Sequence, residues 1–332
     1  MHSITFPNRP ILRSFAAIGG QKEGEGYFGK YFDRIETDPF FGKQNWEQAE
    51  TALQSETFRL AVNKALLKPA EIDCILAGDL IDQCTISSFA HRRTGVPFLG
   101  LYGACSTIAE ALLLSGMLTD GGYCERVCAV TSSHFSTAER QFRFPLSYGG
   151  QRTPTAQWTC TASGAVVVTA RGEGVTLSGG CIGRICDLGV TDATNMGAAM
   201  APAAADTISR YLHDTATQPQ DYDVIITDDL GCVGTPLLHE LLGREGITLG
   251  SIHHDCGAEM FDNDAQDTHA GGSGAGCAAS ILCAYWLPKL ASGKLRRALF
   301  CATGALLSAM SSQQGETIPG ICHLIELKGA NT

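Results

Sequence analysis

The chain has 332 residues, 44% of them hydrophobic and 17% charged, which is the composition of a globular protein with one large domain or two ordinary ones. The formal net charge is −10 without a long single-sign run, so we expect no nucleic-acid partner. No stretch reaches the roughly 18 consecutive apolar residues of a membrane span, and residues 1–10 lack the basic flank and apolar segment of a secretory leader. The sequence thus predicts an intracellular protein without a transmembrane helix.

Fourteen cysteines are spread along the chain, and several stand in apolar stretches, as Cys128, Cys283 and Cys301 do. A chain of this length can bury enough core to fold without disulfides, so we expect free thiols in a reducing compartment. No two cysteines are separated by exactly two residues, which removes the strongest spacing for a zinc site.

The first half of the chain predicts a helix, a strand, a second helix and a second strand. Residues 1–50 come first, with scattered Gly, Pro and aromatic residues that predict an irregular covering segment. Apolar positions then recur at helical spacing over 46–67, and 71–80 is an apolar run of strand length. The next helix is predicted over 103–118 and the next strand over 126–132.

The second half repeats this order. Segment 201–212 has helical spacing, and the apolar run 221–230 mirrors 71–80. A helix is predicted over 276–293 and a strand over 297–302. Two element pairs that recur in the same order indicate an internal duplication.

Segments 153–169 and 174–180 are rich in Thr and Val, which favours strands at the end of the first half. We therefore expect two similar α/β halves that share a layered core. The predicted division lies near residue 172, giving halves over 1–172 and 173–332.

Cys105 stands in the motif Tyr-Gly-Ala-Cys-Ser-Thr, with small residues before it and a long apolar helix after it. A helix start has unpaired N–H groups and the positive end of the helix dipole, which lower the pKa of a thiol and attract anions. Cys105 is therefore a candidate nucleophile and a candidate contact for a carboxylate. The alternative is a buried structural thiol, and we assign that role to Cys277, which has the same setting in the second half.

A glycine-rich turn contains Gly272, Ser273 and Gly274, which are candidate ligand contacts. Together with Gly276 and Ala279 it fits a loose dinucleotide-binding fingerprint, but the preceding segment is polar and no acidic residue follows at about 20 positions. We expect no nicotinamide or flavin cofactor. The turn is interpreted as one that lines a ligand pocket or lets a helix pack closely.

His253, His254, Asp255 and Cys256 are a run of residue types that bind metals. Adjacent histidines on a strand point to opposite faces, so at most one of them can join a shared site. We therefore expect no metal, and interpret the run as polar residues around a loop.

Polar side chains follow the predicted strand over 126–132, among them Ser133, His134, Arg140 and Arg143. Ligands of open α/β sheets collect at strand ends, and Arg and His donate hydrogen bonds to carboxylates. These residues are a candidate anion clamp. The alternative is a solvated loop with ordinary surface arginines.

Several motifs resemble the thiolase superfamily, which includes the ketoacyl synthases: the duplication, Gly-Ala-Cys at a helix start, the glycine-rich turn into a helix, and Cys-Ala-Thr-Gly-Ala over 301–305. Four longer motifs resemble, more narrowly, the stage V sporulation protein AD family: Ser-Ser-His at 132–134, Pro-Thr-Ala-Gln-Trp at 154–158, Thr-Asp-Asp-Leu-Gly at 227–231 and Gln-Gln-Gly-Glu-Thr-Ile-Pro-Gly at 313–320. The resemblance covers nearly the whole chain.

The resemblance implies a thiolase-like fold of two duplicated α/β halves in a five-layer α-β-α-β-α arrangement, and a homodimer. It also implies that the protein binds dipicolinic acid, pyridine-2,6-dicarboxylate, as such or as its calcium chelate, during uptake into the developing spore. The implied partners are other stage V sporulation membrane proteins of the same operon. The implied location is the periphery of the spore inner membrane, through those proteins.

A ketoacyl synthase of this superfamily uses a nucleophilic cysteine and two further groups that polarise a thioester carbonyl. The resemblance puts the cysteine at Cys105, the family histidine on or beside Asp228 and Asp229, and the family asparagine near Ala275. Because an anionic Asp repels a developing oxyanion and Ala donates no hydrogen bond, we expect a degenerate site that binds a ligand without condensation chemistry.

Two alternative functions remain open. A divergent acyltransferase would use Cys105 as nucleophile, with His254 or His269 as base. A purely structural partner would dock the membrane complex and keep a vestigial pocket. The expected ligand-binding residues are Cys105, Ser133, His134, Arg140, Arg143, Asp228, Asp229, His254, Gly272, Ser273 and Gly274.

Overall fold

The computed structural model describes residues 3–142 and 152–330. Strands and helices alternate along the chain, which confirms the predicted α/β class. The strands are β1 (Ser3–Thr5), β2 (Ile11–Gly20), β3 (Arg34–Glu36), β4 (Cys74–Gly78), β5 (Phe98–Gly100), β6 (Arg126–Ser133), β7 (Trp158–Thr159), β8 (Ala162–Thr169), β9 (Val175–Cys181), β10 (Val224–Thr227), β11 (His253–Asp255), β12 (Gly272–Ser273), β13 (Arg297–Ala305) and β14 (Gly320–Lys328). The helices are α1 (Gln21–Glu25), α2 (Trp46–Lys64), α3 (Thr85–His91), α4 (Thr107–Asp120), α5 (Phe135–Phe142), α6 (Met196–Thr215), α7 (Gly231–Arg244), α8 (Cys256–Met260), α9 (Cys277–Ile281), α10 (Leu287–Ala291) and α11 (Ala309–Gln313).

Within the described residues, twelve strands are hydrogen-bonded into one continuous sheet. Its main order is β11-β10-β13-β14-β9-β2-β8-β6-β4-β5, while β1 pairs with β9 and β3 with β2. From each edge inward, two parallel pairings are followed by two antiparallel ones. The two five-stranded halves thus repeat one plan and meet where β2 pairs with β9. The boundary predicted near residue 172 lies between β8 and β9 and stays a prediction.

Helices cover both faces of each half. α2 packs on β2, β6 and β8 of the first half, and α6 packs on β9, β13 and β14 of the second. α4 contacts strands of both halves, and α4 and α9 share one apolar core with residues of both. α2 and α6 thus cover the two halves of the sheet from outside, and α4 and α9 pack between the halves. This order of helix, half-sheet, helix, half-sheet and helix is the five-layer arrangement that the resemblance implied.

The prediction of an irregular N-terminal segment is wrong for residues 11–20, because β2 lies at the centre of the sheet. Most of this strand is buried on both faces, so its sequence lacks the alternation of a half-exposed strand. A shift in register between Leu12 and Ser14 lets Arg13 reach solvent, which hides the pattern further.

The structure confirms the other main elements with small changes in their boundaries. The predicted helix-strand-helix-strand order is formed by α2, β4, α4 and β6, and again by α6, β10, α9 with α10, and β13. A π-helical turn over Leu282–Trp286 joins α9 to α10 just before Pro288, whose nitrogen cannot donate a helical hydrogen bond. α3, α5, α7 and β14 were not predicted from the sequence.

The cysteines are free thiols in the structure. Cys124, Cys186 and Cys232 reach the surface, and the others are buried. In the part of the chain that the structure describes, no helix combines the length and the hydropathy needed to cross a membrane.

Gly164 lets β8 pack against α9, because a Cβ at this position would lie 2.2 Å from the carbonyl oxygen of Ala279. We predict that Gly164→Ala lowers the free energy of unfolding by about 1–3 kcal/mol, the usual cost of overpacking a core. Gly243→Ala is the matched control, since a Cβ there meets nothing within 4 Å and alanine favours α7 by up to about 1 kcal/mol. Urea denaturation measures both changes, and a Gly164→Ala variant as stable as the wild type would contradict the packing.

Candidate functional site

A cavity of about 190 Å³ opens beside Cys105. The loop after β4, the turn before α4, helix α5 and the segments before α6 and after β13 surround it. Its apolar lining residues are Leu80, Ala104, Ala138, Phe142, Ala193, Met196, Ala305 and Leu307. Its polar lining residues are Tyr102, Cys105, Glu139, Thr159, Thr194 and Ser273. Apolar walls with a few polar groups are typical of a small-molecule site.

The backbone before α4 places the thiol of Cys105 at this cavity. Ala104 has a φ of 53°, a left-handed conformation that costs a non-glycine residue roughly 1–2 kcal/mol. Close packing holds the turn, since a Cβ on Gly304 of β13 would lie 2.3 Å from the carbonyl oxygen of Gly103. Cys105 is only 5% exposed and its Sγ contacts Ser273.

A chain of three polar side chains runs from the cavity into the core. The Sγ of Cys105 lies 3.8 Å from the Oγ of Ser273, and this Oγ donates a hydrogen bond of 2.7 Å to Oδ2 of Asp229. Because the hydroxyl proton of Ser273 is used for Asp229, the thiol is the donor in its contact with Ser273. The geometry therefore favours a protonated Cys105.

Asp229 and Asp228 form a buried carboxyl pair behind Cys105. Asp229 also accepts hydrogen bonds from the N–H of Gly274 at 3.1 Å and from Oγ1 of Thr303 at 3.0 Å. Asp228 accepts one from the N–H of Ala278 at 3.1 Å, while its Oδ2 has no partner among the described residues. Burial raises the pKa of Asp229, and that of Asp228 well above its ordinary value. Hydrogen bonds from Cys105, Ser273, Gly274 and Thr303 favour the charged form of Asp229, whereas the charges of Asp229 and Asp255 add to the effect of burial on Asp228.

The prediction that the helix start lowers the pKa of Cys105 is wrong. Burial raises the pKa of this thiol well above its ordinary value, and the carboxyl groups of Asp229 and Asp228 raise it further. Both effects oppose the helix dipole, and the pKa of the enclosed thiol lies above its ordinary value. Cys105 is therefore a poor nucleophile at neutral pH.

Of the glycine-rich turn, Ser273 alone is among the described residues that line the cavity. Gly272 and Ser273 form β12, which pairs with β7. Gly274 has a φ of 108°, and a Cβ there would lie 2.7 Å from Oγ of Ser133. The two glycines thus allow the close approach of backbone that brings Ser273 under the cavity.

Ser133 and His134 use their polar atoms within the fold. The Oγ of Ser133 donates to the carbonyl oxygen of Cys160 at 2.7 Å and accepts from the N–H of Gly276 at 3.1 Å. The Nε2 of His134 lies 2.8 Å from the carbonyl oxygen of Pro39 and donates to it, because Nδ1 accepts from a backbone N–H. Neither side chain lines the Cys105 cavity.

The arginines of the expected anion clamp are not brought to Cys105 among the described residues. Arg140 forms an ion pair with Glu47 of α2, lies over the ring of Trp46 and is 46% exposed. Arg143 lies outside the described residues. The structure therefore does not assemble His134 and Arg140 into one clamp at this cavity.

The two histidines considered as bases for acyl transfer lie elsewhere. The Nδ1 of His254 is 2.8 Å from Oε1 of Glu259, and the Nε2 of His269 is 3.1 Å from Oδ1 of Asp267. No histidine in residues 3–142 and 152–330 lines the cavity. Within the same residues, no group of three His, Cys, Asp or Glu side chains is placed to hold a metal.

Sequence reasoning missed much of the cavity wall. Tyr102 stands in the Cys105 motif, so its position could have been inferred from its neighbour. Thr194 and Leu307 come from loops far away in the chain and carry no motif that marks them. Glu139 precedes Arg140 in the polar stretch after β6, and nothing in the sequence indicated that Glu139, and not Arg140, faces the cavity.

Three solved structures are similar to this chain over most of their length. The match to acetamide-bound OleA from Xanthomonas campestris covers 98% of this chain and 99% of the OleA chain, with a TM-score of 0.64 and 12% identity. The match to the 3-oxoacyl-[acyl-carrier-protein] synthase III from Aquifex aeolicus VF5 covers 96% of this chain and 99% of that enzyme, with a TM-score of 0.57 and 13% identity. AbyA1, a tetronic acid condensing enzyme, covers 84% and 87%, with a TM-score of 0.57 and 19% identity. These similarities show a thiolase-like fold.

Sequence comparisons are more specific. The family model of Stage V sporulation protein AD (SpoVAD) matches residues 1–328. The stage V sporulation protein AD of Bacillus subtilis (strain 168) is 41% identical over 318 residues, which are 96% of this chain and 94% of that protein. The chain belongs to the stage V sporulation protein AD family, and is a sporulation protein with a thiolase-like fold.

Proposed function

We propose that the Cys105 cavity binds one molecule of dipicolinate without acyl transfer, for its uptake into the developing spore. The observation that carries the proposal is a small, mostly apolar cavity whose thiol is kept protonated by burial and two carboxyl groups. The apolar walls suit a pyridine ring, and the hydroxyls of Tyr102 and Thr159 are donors for its carboxylates. Membership of a sporulation family supports the cellular role.

Charge favours the calcium chelate of dipicolinate over the free dianion. Among the described lining residues, Glu139 is the one with a formally charged side chain, and it is 8% exposed. Asp229 lies behind Cys105, so its negative charge disfavours a free dianion at close range. The chelate of one Ca²⁺ with one dipicolinate is neutral and avoids this repulsion.

The same geometry disfavours a divergent acyltransferase. Acyl transfer requires a thiolate and hydrogen-bond donors for the developing oxyanion. Here the raised pKa of Cys105 opposes formation of the thiolate. Ser273, the polar side chain in contact with the thiol, donates its hydrogen bond to Asp229 and not to a ligand. A non-covalent complex needs neither group.

The proposal includes partners. The chain would lie at the periphery of the spore inner membrane, held there by other stage V sporulation membrane proteins of the same operon. A homodimer would form at β5, the edge strand of the first half, where Leu99 is 49% exposed and Phe89 of the adjacent α3 is 50% exposed. Pairing of two β5 strands would satisfy the open edge and cover these side chains.

We predict that Ala138→Phe abolishes binding of dipicolinate, because Ala138 lines the cavity at 3% exposure and a phenyl ring would fill it. Isothermal titration calorimetry with dipicolinate and Ca²⁺ should show a fall in affinity of at least about tenfold, or 1.4 kcal/mol. Ala193→Phe repeats the test from another wall if the first variant does not fold.

Ala52→Phe is the matched control for this experiment. Ala52 lines a groove beside α2 and α3, remote from Cys105, and receives the same added ring. It should bind dipicolinate as the wild type does. Wild-type affinity in both cavity variants would rule out this binding site.

We predict that Asp229→Asn increases the rate at which iodoacetamide alkylates Cys105 at pH 8. The negative charge of Asp229 raises the pKa of the thiol, so its removal lowers that pKa and increases the thiolate fraction at fixed pH. Peptide mapping by mass spectrometry measures alkylation at Cys105 separately from the other cysteines. Asp264→Asn, at a surface position, is the control and should change nothing. Equal rates in wild type and Asp229→Asn would contradict the electrostatic account.

A further inference from the structure

A second group of titratable side chains lies on β10, β11 and α7, outside the Cys105 cavity. The Nε2 of His239 is 3.0 Å from Nδ1 of His253, and the Nε2 of His253 is 2.9 Å from Oγ1 of Thr227. Thr227 in turn donates its hydroxyl proton to Oδ2 of Asp255 at 2.7 Å. The four side chains are thus joined by an unbroken series of hydrogen bonds.

The hydrogen bonds of this series all point the same way. Thr227 gives its proton to Asp255, so its oxygen accepts from His253, which must carry its proton on Nε2. The Nδ1 of His253 is then bare and accepts from the Nε2–H of His239. Each group donates toward Asp255, which is the arrangement that an inward proton transfer requires.

Asp255 is the buried end of the series, at 3% exposure. Its Oδ1 accepts from the N–H groups of Gly231 at 2.9 Å and Ala258 at 2.8 Å, and its Oδ2 accepts from the N–H of Leu230 at 3.0 Å. It therefore fixes the starts of α7 and α8 and the loop that carries Asp229. Burial raises the pKa of Asp255 to about 6, so its charge changes close to neutral pH.

The outer end of the series reaches the surface. His239 and His253 are half-buried, whereas Asp255 is enclosed. A buried carboxyl group exchanges protons with water only through groups that can both accept and donate them, and imidazoles and hydroxyls are such groups. Other titratable groups near this series interact with it electrostatically. They are His254 of β11, Asp228 and Asp229 of the loop after β10, Cys232 of α7, and Cys256 and Glu259 of α8.

We propose that His239, His253 and Thr227 are a proton path between solvent and Asp255, which couples the charge of the carboxyl groups behind Cys105 to the external pH. Protonated His239 passes its Nε2 proton to Nδ1 of His253. His253 passes its own Nε2 proton to Oγ1 of Thr227, and Thr227 passes its hydroxyl proton to Oδ2 of Asp255. One imidazolium and one carboxylate become a neutral imidazole and a neutral acid, and no electron is transferred.

Proton uptake by Asp255 changes the electrostatics of the candidate site. Asp255 and Asp229 repel each other, since the charge of Asp229 raises the pKa of Asp255. Neutralising Asp255 removes one negative charge from behind Asp229. The path therefore gives the site a means to follow pH that does not pass through the cavity itself.

The test is a pH jump from 8 to 5 on the full chain, followed by infrared spectroscopy of the carboxylic C=O band that is absent in Asp255→Asn. In the wild type the band should form within the mixing time. Thr227→Val removes the hydroxyl without changing charge and should slow formation by at least about 100-fold, the lower end of what a positioned proton-transfer group contributes. Thr227→Ser keeps a hydroxyl and should retain the fast rate.

Thr235→Val is the matched control, because Thr235 is on α7, the helix of His239, and its buried hydroxyl has no hydrogen-bond partner among the described residues. It should leave the rate unchanged. If Thr227→Val does not fold, His239→Gln takes its place, since glutamine keeps a donor but cannot bind the proton. A wild-type rate in Thr227→Val or His239→Gln, or no band assignable to Asp255 after the jump, would overturn the proposal.

Discussion

The hydrogen bonds to the buried carboxyl group of Asp229 are the interaction on which the candidate site depends. They come from the side chain of Ser273, the backbone of Gly274 and the side chain of Thr303, so one group joins the glycine-rich turn to β13. A buried charge is tolerated only when donors replace the water it has lost. Because Ser273 is held by Asp229, it is also held in place beside Cys105, and the geometry of the cavity floor follows from this single group.

The same carboxyl group decides what the thiol can do. Solved structures with this fold include a 3-oxoacyl-[acyl-carrier-protein] synthase and a tetronic acid condensing enzyme, yet a shared fold does not fix the chemistry of a site. In this chain two acids stand behind Cys105 and burial adds to their effect, so the thiol keeps its proton. The described walls of the cavity have the apolar character of a small-molecule site, and the pKa of its thiol is raised, which opposes acyl transfer. This combination is the physical basis of the binding function proposed here.

Much of the fold could be predicted from the sequence, because the duplicated helix-strand order leaves clear apolar periodicity. The strands β2 and β14 were not predicted, because both are buried on both faces inside the sheet, where no alternation marks a strand. For the site, local motifs identified Cys105 and Ser273, and the resemblance identified Asp229. The orientation of side chains could not be predicted: His134 and Arg140 follow a strand end as binding residues do, but α2 and the segment around Pro39 occupy them. Contacts between distant segments decide such orientations, and a single sequence does not contain them.

The central claim is that the cavity binds its ligand without a covalent bond to Cys105. Calorimetric titration of Cys105→Ala with dipicolinate and Ca²⁺, next to the wild type, tests it most directly, because the substitution removes the nucleophile and leaves the walls of the cavity in place. We expect saturable binding by Cys105→Ala with an affinity within about tenfold of the wild type, or 1.4 kcal/mol. Loss of all binding in Cys105→Ala, together with a Cys105 acyl adduct in the wild type after incubation with acyl-CoA thioesters, would contradict it.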